Sequence, residues 1–459
     1  MSLREYLYYG IASNWIDTTR LEIENRYSSA DDVYNVLIEH IFEILEDDED
    51  FSKKIYRYLI NNDVVTGKEL CLALYDQGIL AYDEAQVSAL KQADAAYTYS
   101  FMLQKIRNIE ITPAQLALDP CTASCVVTDV HTGKVLALVT YPGYDNNRIN
   151  NVDYFAQVNN DLSGPLRNNA TTTMKAPGST FKPITAIAGL EEGVVGLTET
   201  IDCEGVFDEI SNPLKCLGHH NLLNVVGGIS NSCNVYFAEL AHRMSMDGDS
   251  YKPEKGLEIL RKYASMFGLD HTSGIEIFES EPQISDMDPE RSAIGQGTHA
   301  FANVQLARYV TALANRGTVF ELSLLSKETD SKGNLVKEFE PKVYKQLDIS
   351  PATWDSVFEG MRGVVTRSAR FQDLPVNIAG KTGTAQEVKT RGNHAFFISF
   401  APYENPEISV AVNIPNGYNS ANAALTEKYV YRYYYGYMSL DEIMNSGALN
   451  ASRETINGE

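Results

Sequence analysis

An α+β fold built on an antiparallel sheet is what this sequence predicts, on three observations. Hairpin patterns rich in β-branched residues occur early, at 124–140, and again late, at 376–414. The long stretch between them has mostly helical texture, and strands and helices do not alternate one for one as a parallel sheet requires. Early and late strands are therefore expected to pair around a helical middle, with helices flanking the sheet. A mainly helical N-terminal region precedes them.

Taken in order, the first 110 or so residues read as helices. Ser29-Ala30-Asp31-Asp32 resembles a capping box, and Val33, Leu37, Ile41 and Leu45 follow at intervals of four. The acidic run Glu46-Asp47-Asp48-Glu49-Asp50 is expected to end that helix as a solvated loop. A second helical stretch is expected from about Ala85 through Ala96 to Ile106, with Tyr97, Met102 and Leu103 as core contacts. The texture changes at Pro113 and Pro120. Ser124 to Val130 is β-branched and extended, His131-Thr132-Gly133 supplies a turn, and Lys134 to Thr140 reads as a second strand. Far downstream, Val376 to Ala385 reads as a strand. His394 to Pro402 and Ile408 to Ile414 then flank the turn Tyr403-Glu404-Asn405-Pro406-Glu407 as a further hairpin. At 459 residues the chain suits two or three domains. The expected division is a helical accessory domain over 1–112, the main domain over 113–436 and a C-terminal tail over 437–459.

Charge and composition exclude whole classes of partner. The formal net charge of -23 and a pI near 4.8 repel nucleic acid and anionic membrane surfaces alike. No run approaches the roughly 18 to 20 apolar residues needed to cross a bilayer, and Met1-Ser2-Leu3-Arg4-Glu5 lacks a signal-peptide core. The chain as given is thus expected to be soluble. Six cysteines, at 71, 121, 125, 203, 216 and 233, are too few for a disulfide-built scaffold. Among them Cys203, Cys216 and Cys233, with His220, are the ligand types of a structural zinc site. Their spacing lacks a Cys-x-x-Cys hook, so a Cys203–Cys216 disulfide or buried thiols are read ahead of zinc.

Chemistry enters at Ala176-Pro177-Gly178-Ser179-Thr180-Phe181-Lys182-Pro183. Ser179 and Lys182 are one helical turn apart and so share a face, at a helix start signalled by Pro177 and Gly178 and by the apolar spacing of Ile184, Ile187, Ala188 and Leu190. A hydroxyl near the positive end of a helix, beside an amine able to take its proton, is a candidate acyl-transfer nucleophile. A serine three before a lysine nonetheless arises about once by chance in a chain this long. Ser232-Cys233-Asn234 offers a hydroxyl and an amide two apart, a pattern that ordinarily caps a helix. Lys381-Thr382-Gly383-Thr384 offers a cation, two hydroxyls and a glycine. Each is weak alone; the ordered set Ser-x-x-Lys, Ser-x-Asn, Lys-Thr-Gly is the one shared by penicillin-binding proteins and, with Ser-Asp-Asn second, class A β-lactamases.

From about Asp119 to Tyr433 the chain resembles the transpeptidase domain of class B penicillin-binding proteins. Tyr141-Pro142-Gly143-Tyr144-Asp145-Asn146-Asn147, Ile294-Gly295-Gln296-Gly297 and Ala314-Asn315-Arg316-Gly317 are similar to further recurrent segments of that family. Ala302-Asn303-Val304-Gln305 and Ser368-Ala369-Arg370 depart from its usual residues, away from the chemistry, and the N-terminal region does not match the family's usual pedestal. The resemblance implies an antiparallel sheet flanked by helices with an all-helical subdomain, as in β-lactamases.

A lysine serves as base only if its pKa falls from about 10.4 toward neutrality, which burial and a second cation both favour. Lys182 is the expected base and Lys381 that second cation, which would also attract a substrate carboxylate. Ser232 would relay a proton to the leaving amine, and Asn234 would hold Lys182 or the substrate amide. The resemblance implies an oxyanion hole of the Ser179 and Thr384 backbone amides. Thr382 and Thr384 are expected carboxylate contacts, and Gly383 leaves room for a substrate strand.

The implied reaction is acylation of Ser179 by the D-Ala-D-Ala end of a peptidoglycan stem peptide, then transfer to an amine of a neighbouring stem peptide. β-Lactams would acylate the same serine. No metal or organic cofactor is required. The resemblance further implies an extracytoplasmic site of action, a membrane anchor lying outside this chain, and possible cell-wall synthesis partners. A D,D-carboxypeptidase or serine β-lactamase would use the same motifs but pass the acyl group to water; the intact motif residues argue against a non-catalytic cell-wall scaffold, and a β-lactam sensor would need a signalling segment that is not read here.

Overall fold

The computed structural model describes residues 2–21, 29–108, 110–111, 122–387 and 392–446. Pro113, Pro120, Cys121 and positions 447–459 of the expected tail lie outside the described residues. The chain divides into two compact units, Met1–Leu118 and Asp119–Glu459.

The first unit is helical where it is described. Ser29 caps the Ala30–Glu46 helix in a full capping box with Asp32, so the backbone amides at that helix start are satisfied as the sequence pattern demands. Two expectations are corrected. The acidic run is not all loop, because the Asp48 carboxylate accepts from the Phe51 N–H at 2.7 Å and starts a new helix, Glu49–Asn61. The Ala85–Ile106 stretch is two helices, Glu84–Lys91 and Ala95–Arg107, because Asp94 caps the second through the Tyr97 N–H at 2.8 Å. That cap places Tyr97 on the outer face, 44% exposed, and Phe101 takes the core position beside Cys71, Leu74 and Leu90.

The second unit is organised by a five-stranded antiparallel sheet of β1 (Ala123–Asp129), β2 (Val135–Tyr141), β3 (Ala379–Ala385), β4 (His394–Ala401) and β5 (Ile408–Ile414). Their order across the sheet is β3-β4-β5-β1-β2. The early hairpin therefore joins the late strands through β1 and β5, with Val126 opposite Ala411. β4 is buried along its whole length because both faces are covered. Its alternate side chains divide as the period of two requires: Phe396, Ile398 and Phe400 enter one core, and Ala395, Phe397 and Ala401 the other.

The first core is closed by the helical middle of the chain, including the Lys182–Glu191, Asn234–Met244 and Asn303–Ala314 helices. The second is closed by the Ser420–Tyr434 helix through Ala423, Ala424 and Tyr431. The middle also holds small two-stranded ribbons, such as Ile201–Cys203 with Asn221–Leu223 and Val206–Phe207 with Leu214–Lys215. Strands of two or three residues carry too little alternation to be read from sequence. β3 lies at the sheet edge, which leaves its outer side free to face the Gly178–Phe181 turn.

Candidate active site

Gly178–Phe181 forms a 3-10 turn that runs directly into the Lys182–Glu191 helix. Side chains three apart eclipse in such a turn, and the Lys182 N–H donates to the Ser179 carbonyl. The Ser179 hydroxyl and the Lys182 amine therefore leave the backbone on the same side. Lys182 is wholly buried, near the ring of Phe237 at 5.5 Å.

Ser232 sits between the Val225–Ser230 and Asn234–Met244 helices in the left-handed region, at φ 51°. For a serine that conformation costs on the order of 1 kcal/mol, and it sets both of its oxygens before the lysine. Lys182 Nζ donates to the Ser232 carbonyl and to Asn234 Oδ1, each at 2.7 Å, with Ser232 Oγ at 3.4 Å. From the opposite side Lys381, on β3, donates from Nζ to Ser232 Oγ at 2.8 Å and to the Thr382 carbonyl at 3.0 Å. Two fully buried lysines thus meet at one hydroxyl. Residues far apart in sequence, 182, 232, 234 and 381, form a single hydrogen-bonded group.

Electrostatics follow from that burial. Desolvation pushes the Lys182 amine down to about 7, against smaller upward pulls from the Cys233 and Cys216 thiols. It also drives Lys381 well below its ordinary value, and the charge of Lys182 adds to the fall. The repulsion between the two amines shows on Lys381, while Lys182 is depressed by burial alone.

The turn bearing Ser179 and β3 are in backbone contact. Gly178, at φ 54°, lies so close that an added Cβ would stand 2.7 Å from the Thr384 carbonyl oxygen. A Cβ on Gly383 would meet the Pro177 carbonyl at the same distance. Behind the turn, Gly295 accepts from the Gly178 N–H at 2.9 Å, and its own Cβ would stand 1.9 Å from the Gly178 carbonyl oxygen. Sequence reasoning noted the Ile294–Gly297 segment without giving it a role; two glycines two apart were the available signal. Thr382 is half-buried and Thr384 exposed, so both hydroxyl-bearing residues of β3 reach the accessible side.

Beside Asn234 lies a second cluster. Cys203, Cys216, His220 and Cys233 bring their ligand atoms within 4.8 Å of one another. The expected Cys203–Cys216 disulfide is absent, since both are free thiols. Cys203 Sγ and Cys216 Sγ lie 3.5 and 3.6 Å from His220 Nδ1, and the Cys216 and Cys233 sulfurs are 3.8 Å apart. A tetrahedral zinc with bonds of about 2.3 Å to sulfur and 2.0–2.1 Å to nitrogen has S···S edges near 3.8 Å and S···N edges near 3.6 Å. The Cys203–His220, Cys216–His220 and Cys216–Cys233 edges match these values, in a group no wider than 4.8 Å. Backbone N–H groups of Asn234 and Tyr236 donate to Cys216 and Cys233 sulfur at 3.2 and 3.3 Å, the outer-sphere donors that favour thiolate.

Comparison with known proteins agrees with this geometry. Residues 123–434, more than half of the chain, match the penicillin binding protein transpeptidase domain. Peptidoglycan D,D-transpeptidase MrdA of Escherichia coli (strain K12) is 30% identical over 341 residues, 64% of this chain and 51% of that protein. The chain thus spans about half the length of that curated relative. MrdA of Haemophilus influenzae is 28% identical, over 91% of this chain and 66% of its own length. Among solved structures, the imipenem acyl-enzyme complex of M. tuberculosis penicillin-binding protein A is 28% identical, with a TM-score of 0.58 over 66% of this chain and 70% of that one. The chain belongs to the penicillin-binding protein transpeptidase family.

Proposed function

We propose that the chain is a serine D,D-transpeptidase that crosslinks peptidoglycan stem peptides, with Ser179 as nucleophile and Lys182, Ser232, Asn234 and Lys381 as its catalytic partners. The observation that carries this reading is the meeting of two buried lysines at the Ser232 hydroxyl beside the Ser179 turn.

With its pKa near 7, neutral Lys182 takes the Ser179 proton as Oγ attacks the penultimate D-Ala carbonyl. Charge on the carbonyl oxygen falls between the backbone N–H groups of Ser179 and Thr384, whose mutual approach depends on Gly178. When the C–N bond breaks, the D-alanine nitrogen takes a proton from Ser232, which Lys182 or Lys381 replaces. Asn234 fixes Lys182 through its side-chain oxygen while its amide nitrogen donates to the Lys215 carbonyl at 3.0 Å. Thr382 and Thr384 hydroxyls, with Lys381, receive the terminal carboxylate; Gly383 keeps the β3 edge open. The acceptor amine then attacks the acyl-serine, forming the crosslink and restoring Ser179.

Peptidoglycan stem peptides and β-lactams are the ligands of this site in our reading. In this reading it works on the extracytoplasmic face, membrane-associated and among cell-wall synthesis partners; no helix among the described residues is long and apolar enough to cross a membrane. Residues 1–112 are read as an accessory domain, 113–436 as the catalytic domain and 437–459 as a tail. Cys203, Cys216, His220 and Cys233 bind one zinc ion in this reading. That revises the cofactor-free expectation, but the ion's role is to tie the Ser232–Asn234 turn to the neighbouring ribbons and not to take part in acyl transfer.

Partition of the acyl group tests the function. With a donor peptide ending in D-Ala-D-Ala and a stem-peptide amine, the purified protein is expected to release D-alanine and form the new amide. Release without amide would make it a carboxypeptidase; rapid repeated hydrolysis of a cephalosporin would make it a β-lactamase. A stable adduct with no reaction on the peptide would make it a sensor.

A further inference from the structure

Past Thr384 the chain leaves β3 through Ala385 and Gln386 to Glu387, while upstream of Ser179 it enters through Lys175. The two segments lie side by side. Position 383 abuts 177, 384 abuts 178, and at their far end Lys175 Nζ meets Glu387 Oε2 at 2.6 Å. That pair bridges the two backbones whose amides would form the oxyanion hole.

Both partners are held from behind. Lys175 pairs with Phe301 by reciprocal backbone bonds, N to O at 3.1 and 2.9 Å. Glu387 Oε2 also lies 3.0 Å from Nε2 of His394, the first residue of β4 and the partner of Ala385 in register. His394 is buried, and its Nδ1 accepts the Asn416 N–H at 3.0 Å. Burial alone would raise the Glu387 pKa, but its contacts with His394 and Lys175 outweigh this and hold it down at about 2. The Glu387 carboxylate is therefore ionised throughout the physiological range. Glu387 is partly exposed, at 37% of its side chain, so as a stability device the pair is worth little.

Its placement gives it another use. We propose that the Lys175–Glu387 ion pair, backed by His394, is a positioning device that fixes the nucleophile turn against β3 and so sets the rate of acyl transfer to Ser179. None of the three residues is given a part in the bond-making itself. This rests on the reading of Ser179 as the nucleophile and of the Ser179 and Thr384 amides as the oxyanion site. A donor pair displaced by a fraction of an ångström still admits the ligand but stabilises the transition state less.

The test separates initial binding from acylation by stopped-flow with a fluorescent penicillin on the full chain. Glu387→Gln and Lys175→Met are expected to lower the acylation rate constant at least about fivefold while changing the initial binding constant less than about twofold. Glu387→Asp, which keeps the charge, should recover part of the loss. A fall of less than fivefold in both variants, or a loss borne by initial binding, would overturn the proposal. Should one variant fail to fold, the other decides. Ser179→Ala is run beside them: labelling that survives there refutes the assignment of the nucleophile, a failure distinct from that of the ion pair.

Discussion

In the proposed mechanism Lys182 acts as a base because of where it is buried, and that makes its chemistry measurable. Below about 7 it carries a proton and has no room for the one Ser179 must lose; above that value it is neutral and ready. The acylation rate constant with a β-lactam is therefore predicted to rise with pH along a single ionisation near 7, to within a unit, and to level off on the alkaline side. A profile flat from pH 5 to 9 would show that Lys182 is not the group that takes the proton. Individual site residues were legible in the sequence because each stands in a short motif. Their partners were less so: the bond from Lys381 to Ser232 spans 149 residues and that from Lys175 to Glu387 spans 212. No local pattern signals such a pair.

Elements hold the site by backbone contact, the turn bearing Ser232 among them. It lies in the left-handed region and has the Cys203, Cys216, His220 and Cys233 cluster at its side. If that cluster holds zinc, elemental analysis of the purified protein finds about one zinc per chain. Chelation then costs at least about 2.7 kcal/mol, the stabilisation given by a ligand at a hundredfold excess over its Kd, and slows acylation. No bound metal, with stability unaffected by a chelator, would leave three thiols and an imidazole, two of the four buried, and no clamp. The strands of the main sheet were legible to within a residue or three, since β-branched runs around His131-Thr132-Gly133 and Tyr403–Glu407 have an unambiguous period. Helix breaks at Asp48 and Asp94 were not: a single aspartate inside an otherwise helical run decides them by accepting one backbone hydrogen bond. The expected Cys203–Cys216 disulfide failed for a similar reason, because the two ribbons that bring the four side chains together are too short to read.

At the scale of the whole molecule, the order of the motifs along the chain mattered more than any one of them. The sheet needs the late strands to return to the early hairpin, and that return carries Lys381 across to the turns of Ser179 and Ser232. The α+β class and the meeting of the motifs were thus one inference, and both are present in the fold. The charge of -23 adds a constraint of its own: a polyanionic partner would be repelled at every range that salt leaves unscreened. The account as a whole stands on covalent chemistry at one oxygen. Mass spectrometry of the intact and digested protein after exposure to a penicillin tests it most directly. One adduct per chain on the peptide bearing Ser179, persisting after free drug is removed and absent from Ser179→Ala, is the predicted result; an adduct on another residue, or undiminished labelling of Ser179→Ala, would contradict it.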